Sequence, residues 1–382
     1  MSEYQYYEFQ AIDRPLTAKE QDELRSYSTR ARITATSLIN DYSWGSFKGN
    51  PDLWMEKYFD AFLYFANWGT RILKLRLPSS LLSVEDVQTY CYTDLASATE
   101  KDGKIILSFV SEEEPNGEWE EGENWLSSII PVRSELAHGD HHCLYLAWLL
   151  SVQNGELDEE EEEPAVPDGL EGLSGSLKSF TDFLRIDPDL LQAAARVSQP
   201  IHTVGPSRED LLAWVGKLPV QEKDALLVRF SLGEELHLGT EIIGRYLKQK
   251  KDMVMPPILK PRKRTVGELL LLGEELRDNR RRAKAEKAAQ EKAQLEAKAA
   301  AHREKYLGGL AGREMETWLH VDRLISTKQP ARYDEAVRFL VDLRDVAVRK
   351  GKMEKFLEHI ARLREQHEKK PSFLKRMEKA DL

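Results

Sequence analysis

Apolar and polar positions change period several times along the chain, and each change marks an element. Tyr4 to Ala11 gathers aromatic residues into a short run that suits a β-strand. Thr17-Ala-Lys-Glu20 has capping-box spacing, with the Thr17 hydroxyl accepting from the Glu20 amide and the Glu20 carboxylate reaching back. It predicts a helix to about Arg30, followed by a second strand from Ile33 to Asn40. Asn50-Pro51 places a capping residue before a proline, and Leu53, Tyr58, Phe62, Leu63 and Trp68 then keep an approximate helical stripe. Leu73, Leu75 and Leu77 alternate with Lys74 and Arg76, as in a strand with one wet face. Asp102-Gly103 is a hairpin turn, so residues 88–94 should pair with a strand from Lys104 to Val110. Residues 1–115 therefore read as a small α+β domain, a sheet covered by two helices.

Beyond this the pattern is helical. Residues 116–157 read as a helical hairpin broken at Gly139-Asp140, where Gly139 ends one helix and Asp140 caps the next. Asp158 to Glu163 is an unbroken acidic run followed by Pro164 and Pro167, and 158–169 reads as a solvated linker. Residues 170–252 carry five short amphipathic stripes and predict a central helical domain. Pro256, Pro257 and Pro261 with neighbouring cations mark a second linker, 253–264. Residues 265–308 then predict one long charged helix, rich in Ala, Lys, Glu and Gln, without the branched a/d seam of a sustained coiled coil. It is expected to stand exposed as a spacer, about 1.5 Å per residue. Periodicity returns in 312–382, with stripes at Trp318, Val321, Leu324 and Ile325, at Tyr333, Val337 and Leu340, and at Phe356, Ile360 and Leu363. That tail resembles a piece of a helical repeat. The expected class is mainly α, with the α+β domain at the N-terminus.

Composition narrows the function more than the fold. The 382 residues hold 55 Lys+Arg against 65 Asp+Glu, a net charge of −10. The charge is divided: residues 258–382 hold 31 Lys+Arg and 21 Asp+Glu, net +10, while 1–257 hold 24 and 44, net −20. Opposed halves point to self-association, mutual contact or separate partners. Two cysteines, Cys91 and Cys143, exclude a disulfide scaffold and a Cys-rich zinc finger. No apolar run reaches the roughly 18 residues of a membrane span, and the start lacks a basic-then-apolar signal. A soluble, cytoplasmic protein is expected, with no membrane partner.

The stretch Tyr333-Asp-Glu-Ala-Val-Arg-Phe-Leu-Val-Asp-Leu-Arg-Asp345, with Phe356 to Leu382, resembles the helical module at the C-terminus of bacterial SWIM zinc-finger proteins. The Cys-x-Cys signature of those fingers is absent, so no zinc ligand carries over and the resemblance implies a shared contact module alone. The opening from Tyr4 to Thr17 is similar to that of an uncharacterised bacterial protein family.

Three sets of residues carry candidate chemistry. His138, Asp140 and His142, beside His141 and Cys143, have the donor types for an ion such as zinc. Gly139-Asp140 interrupts the helix that would align them, and a polar turn with Cys143 entering the core is the stronger reading. Lys260, Arg262, Lys263 and Arg264, with Arg280, Arg281 and Arg282, could contact phosphates. Residues 258–308 carry 14 Lys+Arg and 8 Asp+Glu, but Tyr306 is their one aromatic, so no stacking platform is evident. Trp318, Tyr333, Phe339 and Phe356 are the candidates for a protein-partner groove. No catalytic residue and no cofactor is assigned. A non-enzymatic adaptor is favoured, with nucleic-acid association and a metal-dependent enzyme as the alternatives.

Overall fold

The computed structural model describes residues 4–43, 45, 47–113, 120–200, 207–232, 238–253 and 263–382, with the backbone alone at 248 and 250–253. The chain is mostly helical with an N-terminal antiparallel sheet. It divides into two compact units, Met1–Asn279 and Arg280–Leu382.

The first unit opens with β1 (Gln5–Gln10), α1 (Ala18–Tyr27), β2 (Arg32–Ile33), β3 (Ser37–Tyr42), α2 (Pro51–Lys57), β4 (Ala61–Ala66), β5 (Thr70–Pro78), α3 (Val84–Gln88), β6 (Ala96–Lys101) and β7 (Lys104–Glu112). The seven strands pair in the order β2-β3-β1-β4-β5-β7-β6. Local signals hold where they are strongest. Glu20 N donates to Thr17 Oγ1 at 3.3 Å and Thr17 N to Glu20 Oε2 at 2.8 Å. Asn50 Oδ1 accepts from the amides of Asp52 and Leu53 at the start of α2. Asp102 and Gly103 both take positive φ, the backbone of a tight hairpin turn.

Two expectations change around these signals. The hairpin partner of β7 across Asp102-Gly103 is β6, and residues 88–94 close α3 and the loop after it. Phe62 and Leu63 belong to a strand, not to a helical stripe begun at Leu53. The run Ala61-Phe-Leu-Tyr-Phe-Ala66 is apolar throughout because β4 is central and both faces of the sheet are covered. On one face Phe9, Leu38, Trp54, Phe59 and Phe62 form an aromatic layer with α1 and α2. On the other, Leu63, Leu73, Leu75, Leu107 and Phe109 pack under α4 (Trp125–Ile129), α5 (Pro131–Ala137), α6 (His142–Gln153), α7 (Gly175–Leu184) and α8 (Pro188–Ala195). Every residue of α6 from His142 to Val152 is buried.

Arg76 lies on the face expected to be wet, yet it is only 3% exposed. Its Nη2 and Nε reach Asp60 Oδ1 at 2.7 and 3.1 Å, and its Nη1 donates to the carbonyls of Met55 and Glu56 at the end of α2. The other Asp60 oxygen accepts from the amides of Ile12 and Asp13. Arg133 of α5 closes the cluster by donating to the Arg76 carbonyl and to Asp13, both at 2.7 Å.

The unit continues with α9 (Arg208–Lys217), α10 (Val220–Leu232), α11 (Leu238–Met253) and the first turns of α12 (Val266–Leu310). The acidic run is not a solvated tether. Glu163 is 4% exposed, its carboxylate gripped by Arg264 Nε and Nη2 at 2.8 Å and by the Tyr145 hydroxyl at 2.5 Å. Amides of Glu163, Val266 and Gly267 bond across to the carbonyls of Arg264, Glu161 and Glu159. Val266 and Leu269 enter the core, so α12 starts packed and is bare only from residue 280 to beyond its middle. The prolines at 256, 257 and 261 lie outside the described residues.

The second unit holds the larger part of α12, from Arg280, then α13 (Glu314–Ser326), α14 (Pro330–Arg349), α15 (Met353–Gln366) and α16 (Pro371–Lys379). Val321, Ile325, Tyr333, Leu340 and Ile360 of the tail's three stripes share its core with Phe373 and Met377 of α16, which no stripe includes. Among the described residues no helix is long and apolar enough to cross a membrane.

Asp60→Ala leaves the Arg76 guanidinium buried without its counter-charge and strands two amides. It should destabilise the first unit by about 3–5 kcal/mol, read as a lowered urea midpoint for that unit with the second unit's transition unmoved.

Candidate functional site

Two places concentrate polar or accessible groups. The first is the turn from α5 to α6. Gly139 adopts a left-handed backbone (φ 83°) and ends α5. Asp140 then accepts from the His142 amide at 2.9 Å and bonds the His142 Nδ1. Burial pulls the His142 pKa down, but the bond and charge of Asp140 and the Asp168 carbonyl outweigh it, leaving the imidazole above its ordinary 6.5. Burial likewise lifts Asp140, and the His142 bonds and charge reverse it, leaving the carboxyl below 3.8.

His138 points elsewhere, its Nδ1 2.6 Å from the Ser134 carbonyl. His138, Asp140 and His142 therefore do not converge, and among the described residues no three His, Cys, Asp or Glu side chains gather into a group that could hold a metal ion. Cys143 is in the core, and burial pushes its thiol well above the usual range, away from the nucleophilic thiolate. Burial pushes the Cys91 thiol up to about 12.

His138 and His141 instead line a cleft of about 560 Å³ with Ser79, Ser83, Asp86 and Arg245. Its strongest charges are committed to holding α10 on α11. Arg245 pairs with Glu241 and, at 3.0 Å, with Glu222, while Arg229 meets Glu241 at 2.6 Å.

The second place is a groove among α13, α14 and α15. Trp318 stacks on His359, with ring centroids 5.2 Å apart, and meets Phe356 at 5.8 Å. His359 is steadied by its Nδ1 contact with the Lys355 carbonyl at 2.8 Å. Lys350, Lys352 and Lys355 rim the groove, and exposed Met315 extends it. Lys350 is held by Glu314 at 2.6 Å, whereas Lys352 and Lys355 stand in solvent. The volume is about 240 Å³, below the roughly 300–1,000 Å³ of small-molecule pockets. It suits one or two apolar side chains of a partner.

Of the four aromatic candidates, Trp318 and Phe356 meet in this groove, although little of Phe356 is exposed. Tyr333 is core, 5.6 Å from Phe373, and Phe339 faces His320 in a separate groove beside Tyr306 and Arg313. Sequence reasoning missed Met315, His359 and the three lysines. Lys350-Gly-Lys352 sits at the turn between two stripes, and its approach to Trp318 is a tertiary fact.

The cations also part company. Arg264 is taken by Glu163, with its remaining donors on the carbonyls of Ala193 and Ala194. Lys263 is exposed, 3.4 Å from Glu162. Arg280, Arg281 and Arg282 are exposed on α12, and Lys260 and Arg262 lie outside the described residues. No family model, no curated protein and no solved structure matches the chain.

A raised folded pKa means that His142 contributes stability in full below pH about 6.5, lost as the pH rises through the higher folded value. In an NMR titration the His142 ring should show a midpoint above 6.5 in the native chain. The midpoint should fall in Asp140→Asn, and an unchanged one would show that another group holds the proton.

Proposed function

We propose that the chain is a non-enzymatic adaptor whose C-terminal helical unit docks an acidic protein segment bearing an apolar anchor. The reading is carried by the groove at Trp318, which sets an accessible aromatic floor beside cations that are not all spent inside the fold. Trp is a common anchor of protein interfaces, where a few residues supply most of the binding energy. Residues 280–382 hold 26 Lys+Arg against 17 Asp+Glu, a net charge of +9, which favours acidic partners and hastens their encounter. A Leu or Phe of the partner would sit by Trp318, with carboxylates meeting Lys352 and Lys355. The resemblance of Tyr333–Asp345 and Phe356–Leu382 to a SWIM-protein tail is in keeping with a helical contact module.

A second reading rests on α12. Residues 280–306 are largely exposed and carry nine Lys+Arg against four Asp+Glu, a surface that phosphates would attract. In a filter-binding assay this reading requires retention of RNA or DNA at 50 mM salt that falls steeply with added salt. Charge reversal at Arg280, Arg281 and Arg282 must abolish it.

For the adaptor, the full chain is tested on an array of acidic peptides, each with one Leu or Phe. Trp318→Ala should cost about 2 kcal/mol, roughly 30-fold in affinity. Lys352→Glu with Lys355→Glu should weaken binding and flatten its salt dependence. Peptides that bind native and altered chains alike would remove the groove from consideration.

A further inference from the structure

Helices α9 and α10 are anomalous for a folded protein, since neither buries a single residue. They have 10 and 13 residues, and isolated helices shorter than about 12–15 residues are marginal in water. Ser207 Oγ accepts from the Asp210 amide at the start of α9, and Lys223 Nζ donates to the Gly216 carbonyl at its end. Side-chain links tie them to α11, through Trp214 Nε1 on Gln249 Oε1 at 2.5 Å and through Arg229 and Glu222 on Glu241 and Arg245. Trp214 also meets the Tyr246 ring of α11 at 5.9 Å, yet most apolar residues of both helices stay exposed.

The exposed apolar set is large. Phe230 is 76% exposed, Val220 70%, Leu212, Leu227 and Leu232 62–63%, Val228 56% and Val215 38%. On α10, Val220, Leu227 and Phe230 fall within an arc of about 80°, and on α9 Leu212 and Val215 are about 60° apart, at 100° per residue. Weighted by ordinary residue areas, the five on these arcs expose roughly 600 Å², at the top of the range for the largest apolar patch on a monomer and about three-quarters of what one partner contributes to a standard-size interface, while Val228 and Leu232 lie on the other side of α10.

Charge selects what covers it. Residues 1–279 hold 29 Lys+Arg against 48 Asp+Glu, a net charge of −19, so two copies repel over most of this unit. Residues 207–232 are the exception, with four Lys+Arg and four Asp+Glu. An isologous dimer places the same patch on both sides of its axis, so the patch has to tolerate itself. A neutral, apolar helix pair does so, and the acidic surface around it does not. We propose that α9 and α10 form the interface of a homodimer, each copy supplying the partner that the other's exposed faces lack. This goes beyond the adaptor reading and uses a different surface. A dimer carrying two grooves would bind a bivalent partner with added avidity.

The full chain is examined by light scattering across 1–100 µM, with hydrogen exchange at both ends of that range. The expected mass is twice the 43.9 kDa of one chain, and amides of 207–232 should exchange at least tenfold more slowly at the higher concentration. Leu227→Glu with Phe230→Glu should return the mass to one chain while peptide binding at the Trp318 groove persists. A single-chain mass at 100 µM overturns the proposal, as does a dimer whose 207–232 amides exchange alike at both concentrations. A doubly substituted chain that remains dimeric overturns it too. Since exchange is read on the native chain, a variant that fails to fold leaves the test standing. Loss of peptide binding with the dimer intact would count against the groove alone.

Discussion

Asp60 and Arg76 are both out of water, and neither charge could be there alone. Removing a carboxylate or a guanidinium from solvent costs several kcal/mol, repaid only where geometry is good and the remaining donors and acceptors are filled. Both conditions hold. One Asp60 oxygen takes the guanidinium, the other takes two amides, and the spare Arg76 donors cap the carbonyl end of α2. The pair therefore fixes the Ile12–Asp13 turn, the end of α2 and strand β5 together, and Arg133 extends the same grip to α5 on the opposite face. Glu163 and Arg264 repeat the arrangement 101 positions apart, with Tyr145 and two carbonyls of α8 completing the shell. The acidic stretch that looks like a free tether is clasped by Arg264 through Glu163, and α12 leaves the core from a defined point.

The sheet imposes the complementary constraint. Its central strand, β4, is apolar on both faces, so each face must be roofed. α1 and α2 roof one side with aromatic contacts, including Phe9–Trp54 at 5.3 Å and Tyr27–Trp54 at 5.5 Å. α4 to α8 roof the other, with α6 buried along its length. A helix apolar all round reads like a membrane segment or a deep core element, and the 12 residues of α6 fit the second. Arg71 shows how tightly that roof closes. Its guanidinium sits over Phe65, Trp125 and Phe183, and it donates to the Phe183 carbonyl at the end of α7. Burial lowers its pKa, the expected effect of a low-dielectric cage.

What could be read in the sequence was what depends on neighbours in the chain. The Thr17–Glu20 box, the Asn50 cap, the Asp102-Gly103 turn and the Gly139-Asp140 break need only their own residues, and so do the stripes of the C-terminal helices. What failed depends on burial from elsewhere. Ala61 to Ala66 carries no period because two roofs erase it, and Arg76 keeps the alternation of a wet strand while its partner lies at Asp60. Glu163 is chemically identical to its acidic neighbours, and only Arg264 distinguishes it. Adjacency also misled in the opposite direction. His138 and His142 are four residues apart, but the turn sends one to a cleft and the other into a buried pair with Asp140. Trp318 could be found by pattern, whereas the lysines around it required the fold.

The division of charge then constrains association. At physiological salt a surface field fades over about 8 Å, so it selects which bodies approach without deciding where they lock. A unit of net charge −19 disfavours its own kind at most orientations, and a unit of net charge +9 draws acidic bodies from solution. Locking then falls to local apolar surface, and the chain offers it in two electrostatic settings. Around Trp318 the apolar floor lies beside three lysines, so attraction and burial would act together on the proposed acidic partner. On α9 and α10 the apolar faces are locally neutral within an acidic unit, so burial acts where repulsion is least. If both proposals hold, two surfaces of one chain discriminate between an acidic stranger and an identical copy by the sign of the charge that surrounds the same hydrophobic driving force.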